Sequence, residues 1–119
     1  MLNFFTTGPG SYREEYPHLK RLAPEWHERG LIVVAISRGE EARVVEYFVR
    51  RHEPTFPVLI DEDRAASDQF ADADGRLPVS TNILLGPDHR IVFRQSGYTE
   101  RLFARLESEI EALLRQPPE

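Results

Sequence analysis

The chain of 119 residues contains no cysteine. This absence excludes a disulfide framework, a thiolate metal site and a cysteine nucleophile within the chain. It does not fix the cellular compartment, because a protein without cysteine is compatible with oxidising and with reducing surroundings.

The chain is also poor in positive charge, since 15 lysine and arginine residues face 20 aspartate and glutamate residues, for a net charge of −5. We therefore expect neither nucleic acid nor an anionic membrane as the main partner. No apolar run approaches the roughly 20 residues of a membrane span. Met1 leads directly into a strand-like segment without a signal peptide, which predicts a cytoplasmic location, or an extracytoplasmic one if an upstream signal was removed.

What is present is the composition of a soluble globular domain, with 40% apolar and 29% charged residues. The length fits a single domain over residues 1–119. Short apolar runs alternate with amphipathic segments, which predicts the order β-α-β-α-(β-α)-β-β-α. Such an order is typical of a parallel sheet with helices on both faces, here with an antiparallel hairpin added at one side.

The pattern also places the elements along the chain. A helix is expected from Tyr12 onward, with a bend near Pro17 and a separate final turn opened by Pro24. Thr99 is expected to cap the last helix. The predicted strands cover residues 2–5, 31–36, 56–60, 79–85 and 91–95, and a short helix is expected within 63–70.

Four segments, in their order and spacing, resemble a redoxin of the TlpA-like and AhpC/TSA type. LNFF resembles the strand before the active site, REEYPHLKRLA the active-site helix, FPVLID the βα insertion that separates redoxins from plain thioredoxins, and PDHRIVFRQSGYT the last hairpin. The resemblance covers nearly the whole chain. It implies a thioredoxin-like three-layer α/β/α sandwich with a mixed central sheet and a redoxin-type βα insertion.

The family motif, Trp-Cys-Gly-Pro-Cys or a near relative, falls on Gly8, Pro9, Gly10, Ser11 and Tyr12. Only Gly10 matches it. The position of the nucleophilic cysteine holds Pro9 and that of the resolving cysteine holds Tyr12, and neither side chain forms a thiolate. The resemblance therefore supplies no catalytic residue.

A second family feature, a cis-proline beside the active site, falls on Ser80, between Val79 and Thr81. A cis bond before a residue other than proline costs about 2.5–4 kcal/mol, so the Val79–Ser80 bond is expected to be trans. Pro78 is expected to be trans as well, with a cis bond as the alternative if it has taken over the family role.

Helix capping is the first interpretation of the motif segment. Ser11 and Glu14 match the Ser-x-x-Glu capping box. A backbone anion site formed by Gly8, Gly10 and the helix N-terminus is the alternative, although Glu14 and Glu15 would repel an anion. Tyr12 begins the apolar stripe of the helix, which favours packing over exposure in a peptide groove.

Other chemistry has little support in the sequence. The four histidines share no metal-ligand spacing, and Ser11 has no histidine closer than His18, so we expect no metal, no cofactor and no serine nucleophile. The acidic runs, including residues 61–63, are interpreted as solvated charges or partners of helix dipoles.

These observations favour a redox-inactive thioredoxin-like domain that serves as an interaction or structural module. Its binding face for a protein or peptide would comprise residues 8–12 and 79–81. The alternative is a thiol–disulfide oxidoreductase or peroxiredoxin-type antioxidant whose reactive thiol comes from outside the chain. A third interpretation is homodimerisation, because redoxins carry an N-terminal hairpin and strand before the segment that matches residues 2–5.

Overall fold

The computed structural model describes residues 1–8, 10 and 12–115. In this part of the chain one mixed sheet has the strand order β3-β2-β1-β4-β5. The first three strands are mutually parallel, and β4 is antiparallel to β1. Strands β4 and β5 are antiparallel, which confirms the predicted terminal hairpin. The strands are β1 (Leu2–Phe5), β2 (Val34–Arg38), β3 (Val58–Asp61), β4 (Thr81–Leu85) and β5 (Ile91–Ser96).

Within the described ranges, three α-helices and one 3₁₀ helix connect or follow these strands. Thr99 precedes the last helix and its side chain accepts the N–H of Leu102 at 3.0 Å, which confirms the predicted cap. None of the described helices is long and apolar enough to cross a membrane. The helices are α1 (Tyr12–Glu28), α2 (Ala42–His52), the 3₁₀ helix (Ser67–Phe70) and α3 (Glu100–Leu114).

Helix α1 runs without interruption past both of its prolines, so the separate final turn expected at Pro24 is wrong. Proline has no N–H to donate to the carbonyl of residue i−4, which here is Lys20. The hydroxyl of Thr55 donates to the carbonyl oxygen of Lys20 at 2.7 Å instead. Because a side chain from another segment satisfies this carbonyl, the helix continues. The bend near Pro17 stays a prediction.

The two faces of the sheet are covered unequally. Successive strand residues point to opposite faces, and both Phe4 and Phe5 are fully buried. Phe5 belongs to a large cluster that includes residues of α1 and α3 and against which Phe48 of α2 packs. Phe4 belongs to a smaller cluster, against which Phe70 of the 3₁₀ helix packs. The predicted three layers are present, but the 3₁₀ helix and its flanking loops form the thin third layer.

Five elements differ in their bounds from the sequence prediction. Strand β3 covers Val58–Asp61 instead of 56–60, and β5 covers Ile91–Ser96 instead of 91–95. Strand β2 begins at Val34 because the N–H of Leu31 still donates to Trp26 at the end of α1, at 2.9 Å. The short helix covers only residues 67–70, because the side chain of Asp61 accepts the preceding N–H groups of Ala66 and Ser67. Strand β4 begins at residue 81, two residues later than expected.

Candidate functional site

The candidate site lies where the parallel strands end. Thr6 follows β1, Gly39 follows β2, and α1 begins shortly after β1. In open α/β sheets the crevice beyond the carboxyl ends of the strands is the usual place for a ligand. The segment before β4 reaches the same edge, because Thr6 and Val79 line one cavity there.

The motif segment is described only in part. Gly8 is half-buried, whereas Gly10 is exposed and has φ of +140°, a conformation that favours glycine. The N–H of Arg13 donates to the Gly10 carbonyl at 3.3 Å. Pro9 and Ser11 lie outside the described residues, so the Ser11–Glu14 capping box and the anion site remain predictions.

Tyr12, at the position of the resolving cysteine, is a core residue. Its ring stacks on Phe5 with a centroid distance of 4.6 Å, and it also contacts Tyr16 and Phe48. Burial, followed by the nearby Glu15 and Tyr16, raises the pKa of its hydroxyl well above the ordinary value. The sequence prediction that Tyr12 packs, instead of lying exposed in a peptide groove, is confirmed by its burial.

Thr7, which directly precedes Gly8, is hydrogen-bonded to the turn after β2. Glu40 accepts both the N–H of Thr7, at 2.8 Å, and its hydroxyl, at 2.5 Å. The same carboxylate accepts the hydroxyl of Ser37 at 2.8 Å. These contacts fix the chain just before the motif, independently of any residue within it.

The Val79–Ser80 peptide bond is cis, so the expectation of a trans bond is wrong, whereas Pro78 follows a trans bond as expected. The sequence argument weighed only the intrinsic preference of the bond. It left out the contacts on both sides: the Ser80 carbonyl accepts the N–H of Gly97 at 2.8 Å, and the Thr81 hydroxyl donates to the Pro78 carbonyl.

Val79 and Ser80 have opposite surroundings. Ser80 is buried, at 1% exposure, whereas the side chain of Val79 is 42% exposed. Among the described residues, the main-chain N–H and carbonyl of Val79 have no hydrogen-bond partner. Val79 therefore presents both an apolar side chain and unpaired backbone groups at the candidate site.

A buried carboxylate, Glu15, joins α1 to this segment. It accepts the Ser80 hydroxyl at 2.9 and 3.1 Å, the Asn3 amide at 3.1 Å and the Asn82 amide at 3.3 Å. Asn3 and Asn82 are opposite each other in the β1–β4 ladder, and the Asn3 amide also donates to the Asn82 carbonyl oxygen at 2.8 Å. We call these four residues the Glu15 cluster.

Two effects compete for the charge of Glu15. Burial raises the pKa of its carboxyl, and the hydrogen bonds from Ser80, Asn3 and Asn82 oppose that rise without cancelling it. Every contact that the carboxylate receives in the cluster comes from a donor, an arrangement that suits an anion. The group is therefore a buried acid that connects the helix, two strands and the Val79–Ser80 loop.

Sequence reasoning missed the Glu15 cluster. The available signal was the presence of polar residues within apolar segments. Glu15 adjoins the apolar stripe of α1, and Asn3 and Asn82 interrupt apolar strands. Each residue alone is unremarkable, and only the strand register brings the two asparagines together. The described residues contain no group of three or more His, Asp or Glu side chains that could hold a metal ion.

The mixed sheet and the helix that begins beyond β1 define a thioredoxin-like protein, in which the two cysteine positions hold Pro9 and Tyr12. A family model for the AhpC/TSA family matches residues 1–94. The chain therefore belongs to the AhpC/TSA family.

Individual relatives agree with this assignment. The thiol-disulfide oxidoreductase ResA of Halalkalibacterium halodurans is 32% identical over 102 residues, which are 85% of this chain and 56% of that protein. ResA of Bacillus subtilis is 30% identical over 91 residues, 76% of this chain and 49% of that protein. The chain thus spans about half the length of these relatives.

A solved structure shows the same fold. The thiol:disulfide interchange protein of the thioredoxin family from Chlorobium tepidum superposes with a TM-score of 0.78 at 20% identity, over 95% of this chain and 77% of that one. At this identity the likeness concerns the fold alone.

Proposed function

We propose that this chain is a redox-inactive redoxin domain whose former active-site face binds an extended peptide or protein segment. The proposal is supported mainly by Val79, which is exposed and whose main-chain N–H and carbonyl groups form no hydrogen bond with other described residues. An extended peptide satisfies such groups by adding a short strand, and exposed side chains then select the sequence that binds.

Dithiol chemistry has no reactive group in this chain. Thiol–disulfide exchange requires attack by a thiolate on a disulfide sulfur. The chain has no cysteine, and the Tyr12 ring that stands at one of the two motif positions is buried in the core. The absence of a thiolate therefore favours a domain that binds a polypeptide but does not exchange disulfides with it.

The loop that carries Val79 is held in place before any partner arrives. The Ser80 side chain is fixed by Glu15, its carbonyl by Gly97, and Thr81 pairs with Ser96 through their hydroxyl groups at 2.8 Å. A preorganised surface loses little conformational entropy on binding. Rigid presentation of Val79 is thus consistent with a binding role.

Selection from a random-peptide display library on the immobilised protein tests this proposal. We expect enriched peptides that bind the wild type and the Val92→Asp variant but fail to bind Val79→Asp. Val92 is the matched control, because it is an equally apolar, 52% exposed side chain on β5. Absence of enrichment, or equal binding to all three proteins, would overturn the proposal.

The second candidate is redoxin-type oxidoreductase or antioxidant activity with a thiol supplied from outside the chain. The relatives named thiol-disulfide oxidoreductase ResA favour it. It predicts that the protein accelerates peroxide consumption by glutathione, in proportion to protein concentration. A rate equal to that of glutathione alone excludes a role for this low-molecular-weight thiol.

A further inference from the structure

A cavity of about 480 Å³ adjoins Val79 on the side of β2 and β3. Thr6, Gly39, Pro78 and Val79 form part of its wall, so it is continuous with the face proposed above. Its volume is in the range of ordinary small-ligand sites and is ample for one side chain of a docked peptide. The chemistry of the remaining wall indicates which side chain.

Two arginines give this wall its charge. Arg38 is fixed: it donates to the Leu77 carbonyl at 2.6 Å and to the Asp68 carboxylate at 3.3 Å. Its guanidinium is mostly buried, and its positive charge is shared with Asp68. Arg38 therefore shapes the cavity and leaves limited charge for a ligand.

Arg64 is placed differently. It adopts a left-handed backbone conformation, with φ of 63°, and is exposed. Its aliphatic stem lies across Gly39, where a Cβ would come within 3.3 Å of the Cγ and Cδ atoms of Arg64. Among the described residues, no carboxylate forms an ion pair with Arg64 within 4.0 Å. Arg64 thus lines the cavity with a guanidinium that has no ion-pair partner among the described residues.

We propose that this cavity receives the carboxylate of an aspartate or glutamate side chain from a peptide docked against Val79, and that Arg64 is its ion-pair partner. Guanidinium forms bidentate hydrogen bonds with carboxylates, which gives both charge and geometric selectivity. Glu62 also lines the cavity and opposes an anion, and Arg38 is already paired with Asp68, so the preference for a carboxylate depends on Arg64, which has no ion-pair partner among the described residues. The inference rests on the proposed peptide-binding function and adds the class of peptide.

The library selection described above tests this inference when repeated on Arg64→Gln and on the control Arg51→Gln. Both substitutions remove one positive charge, and Arg51 is an exposed residue near the end of α2. We expect peptides selected on the wild type to share an aspartate or glutamate at one position. This preference should persist on Arg51→Gln and disappear on Arg64→Gln.

A synthetic peptide from the selection then gives the magnitude. Replacing its acidic residue by the corresponding amide should weaken binding to the wild type about tenfold and leave binding to Arg64→Gln unchanged. Peptides that lack an acidic position but still require Val79 would overturn this inference and leave the proposed function standing. Acidic peptides that bind Arg64→Gln as tightly as the wild type would also overturn it, and failure to select any peptide would overturn both.

Discussion

Glu15 and Asp61 are two buried carboxylates that each accept a hydrogen bond from a serine hydroxyl, yet their pKa values shift in opposite directions. Glu15 is 1% exposed and its pKa is raised, because burial outweighs the bonds from Ser80, Asn3 and Asn82. Asp61 is 8% exposed and its pKa is lowered. Burial acts against that lowering, but hydrogen bonds from Ser67 and Ala66 and the charge of Arg38 exceed it.

The difference lies in the donors. Asp61 accepts the backbone N–H groups of Ala66, at 3.1 Å, and Ser67, at 2.6 Å, together with the Ser67 hydroxyl. These N–H groups lie at the start of the 3₁₀ helix, where the backbone supplies no acceptor for them. The Asp61 carboxylate therefore caps this helix. Glu15 receives side-chain donors only and has no cation in its cluster. Asp61 thus holds the 3₁₀ helix in place while it is ionised. Glu15 holds the loop of Val79 and Ser80, and its burial makes its ionisation less favourable.

The largest expected effect is on the free energy of unfolding when each carboxylate is replaced by the corresponding amide. In Asp61→Asn the amide group would face N–H and O–H donors, which should lower the free energy of unfolding by about 2–3 kcal/mol. In Glu15→Gln the new amide group also meets donors, but the Ser80 hydroxyl, at 2.9 and 3.1 Å from the two carboxylate oxygens, can rotate and accept from it. That change should stay below about 1 kcal/mol. Urea denaturation at pH 7 measures both values, and an equal loss in the two variants would contradict the comparison.

A smaller effect comes from the two serines. Ser67→Ala should cost about 1–2 kcal/mol, because it removes a donor from an ionised carboxylate. Ser80→Ala should cost about 1 kcal/mol or less and should raise the pKa of Glu15 further, since this hydroxyl lowers it. Denaturation curves give the stabilities, and the side-chain carboxyl resonance of Glu15 followed by NMR gives its titration. A downward move of that titration in Ser80→Ala would refute the role assigned to Ser80.

The smallest effect is the pH dependence of stability. Because the folded pKa of Glu15 lies above its ordinary value of 4.5, the folded state holds more protons in that window, and stability falls as pH rises through it. The folded pKa of Asp61 lies below 3.8, so its contribution is present above that pH and is lost as pH falls through the folded pKa.

Denaturation between pH 4.5 and 7.5 tests these signs with matched variants. The stability of the wild type relative to Glu15→Gln should decline as pH rises across this range. Asp61→Asn should retain the decline, because Asp61 stays ionised throughout. A wild type that gains stability relative to Glu15→Gln with rising pH would show that the pKa of Glu15 is lowered instead.

The sequence predicts most of the fold because its signals are local and repeated. The alternation of apolar runs with amphipathic segments identifies each strand, and Thr99 marks the start of α3 correctly. The continuity of α1 past Pro24 was not predictable, since it depends on Thr55, a residue 31 positions further along the chain than Pro24.

The candidate site was predictable only where it follows the family motif. The motif predicts a binding face at residues 8–12 and 79–81, which stays a prediction; Tyr12, Ser80 and Thr81 are buried in the structure. The packing of Tyr12 follows from helical spacing. The Glu15 cluster depends on contacts from Glu15 to Ser80 and Asn82, which lie more than 60 positions further along the chain. Such contacts are set by strand register, which local patterns do not encode.

The central claim is that this redoxin frame binds without exchanging disulfides. The most direct measurement is reduction of insulin disulfides by dithiothreitol in the presence of the purified protein, with an active dithiol thioredoxin as the positive control. The account predicts a rate equal to that of dithiothreitol alone at every protein concentration. A rate that increases in proportion to the protein would contradict it.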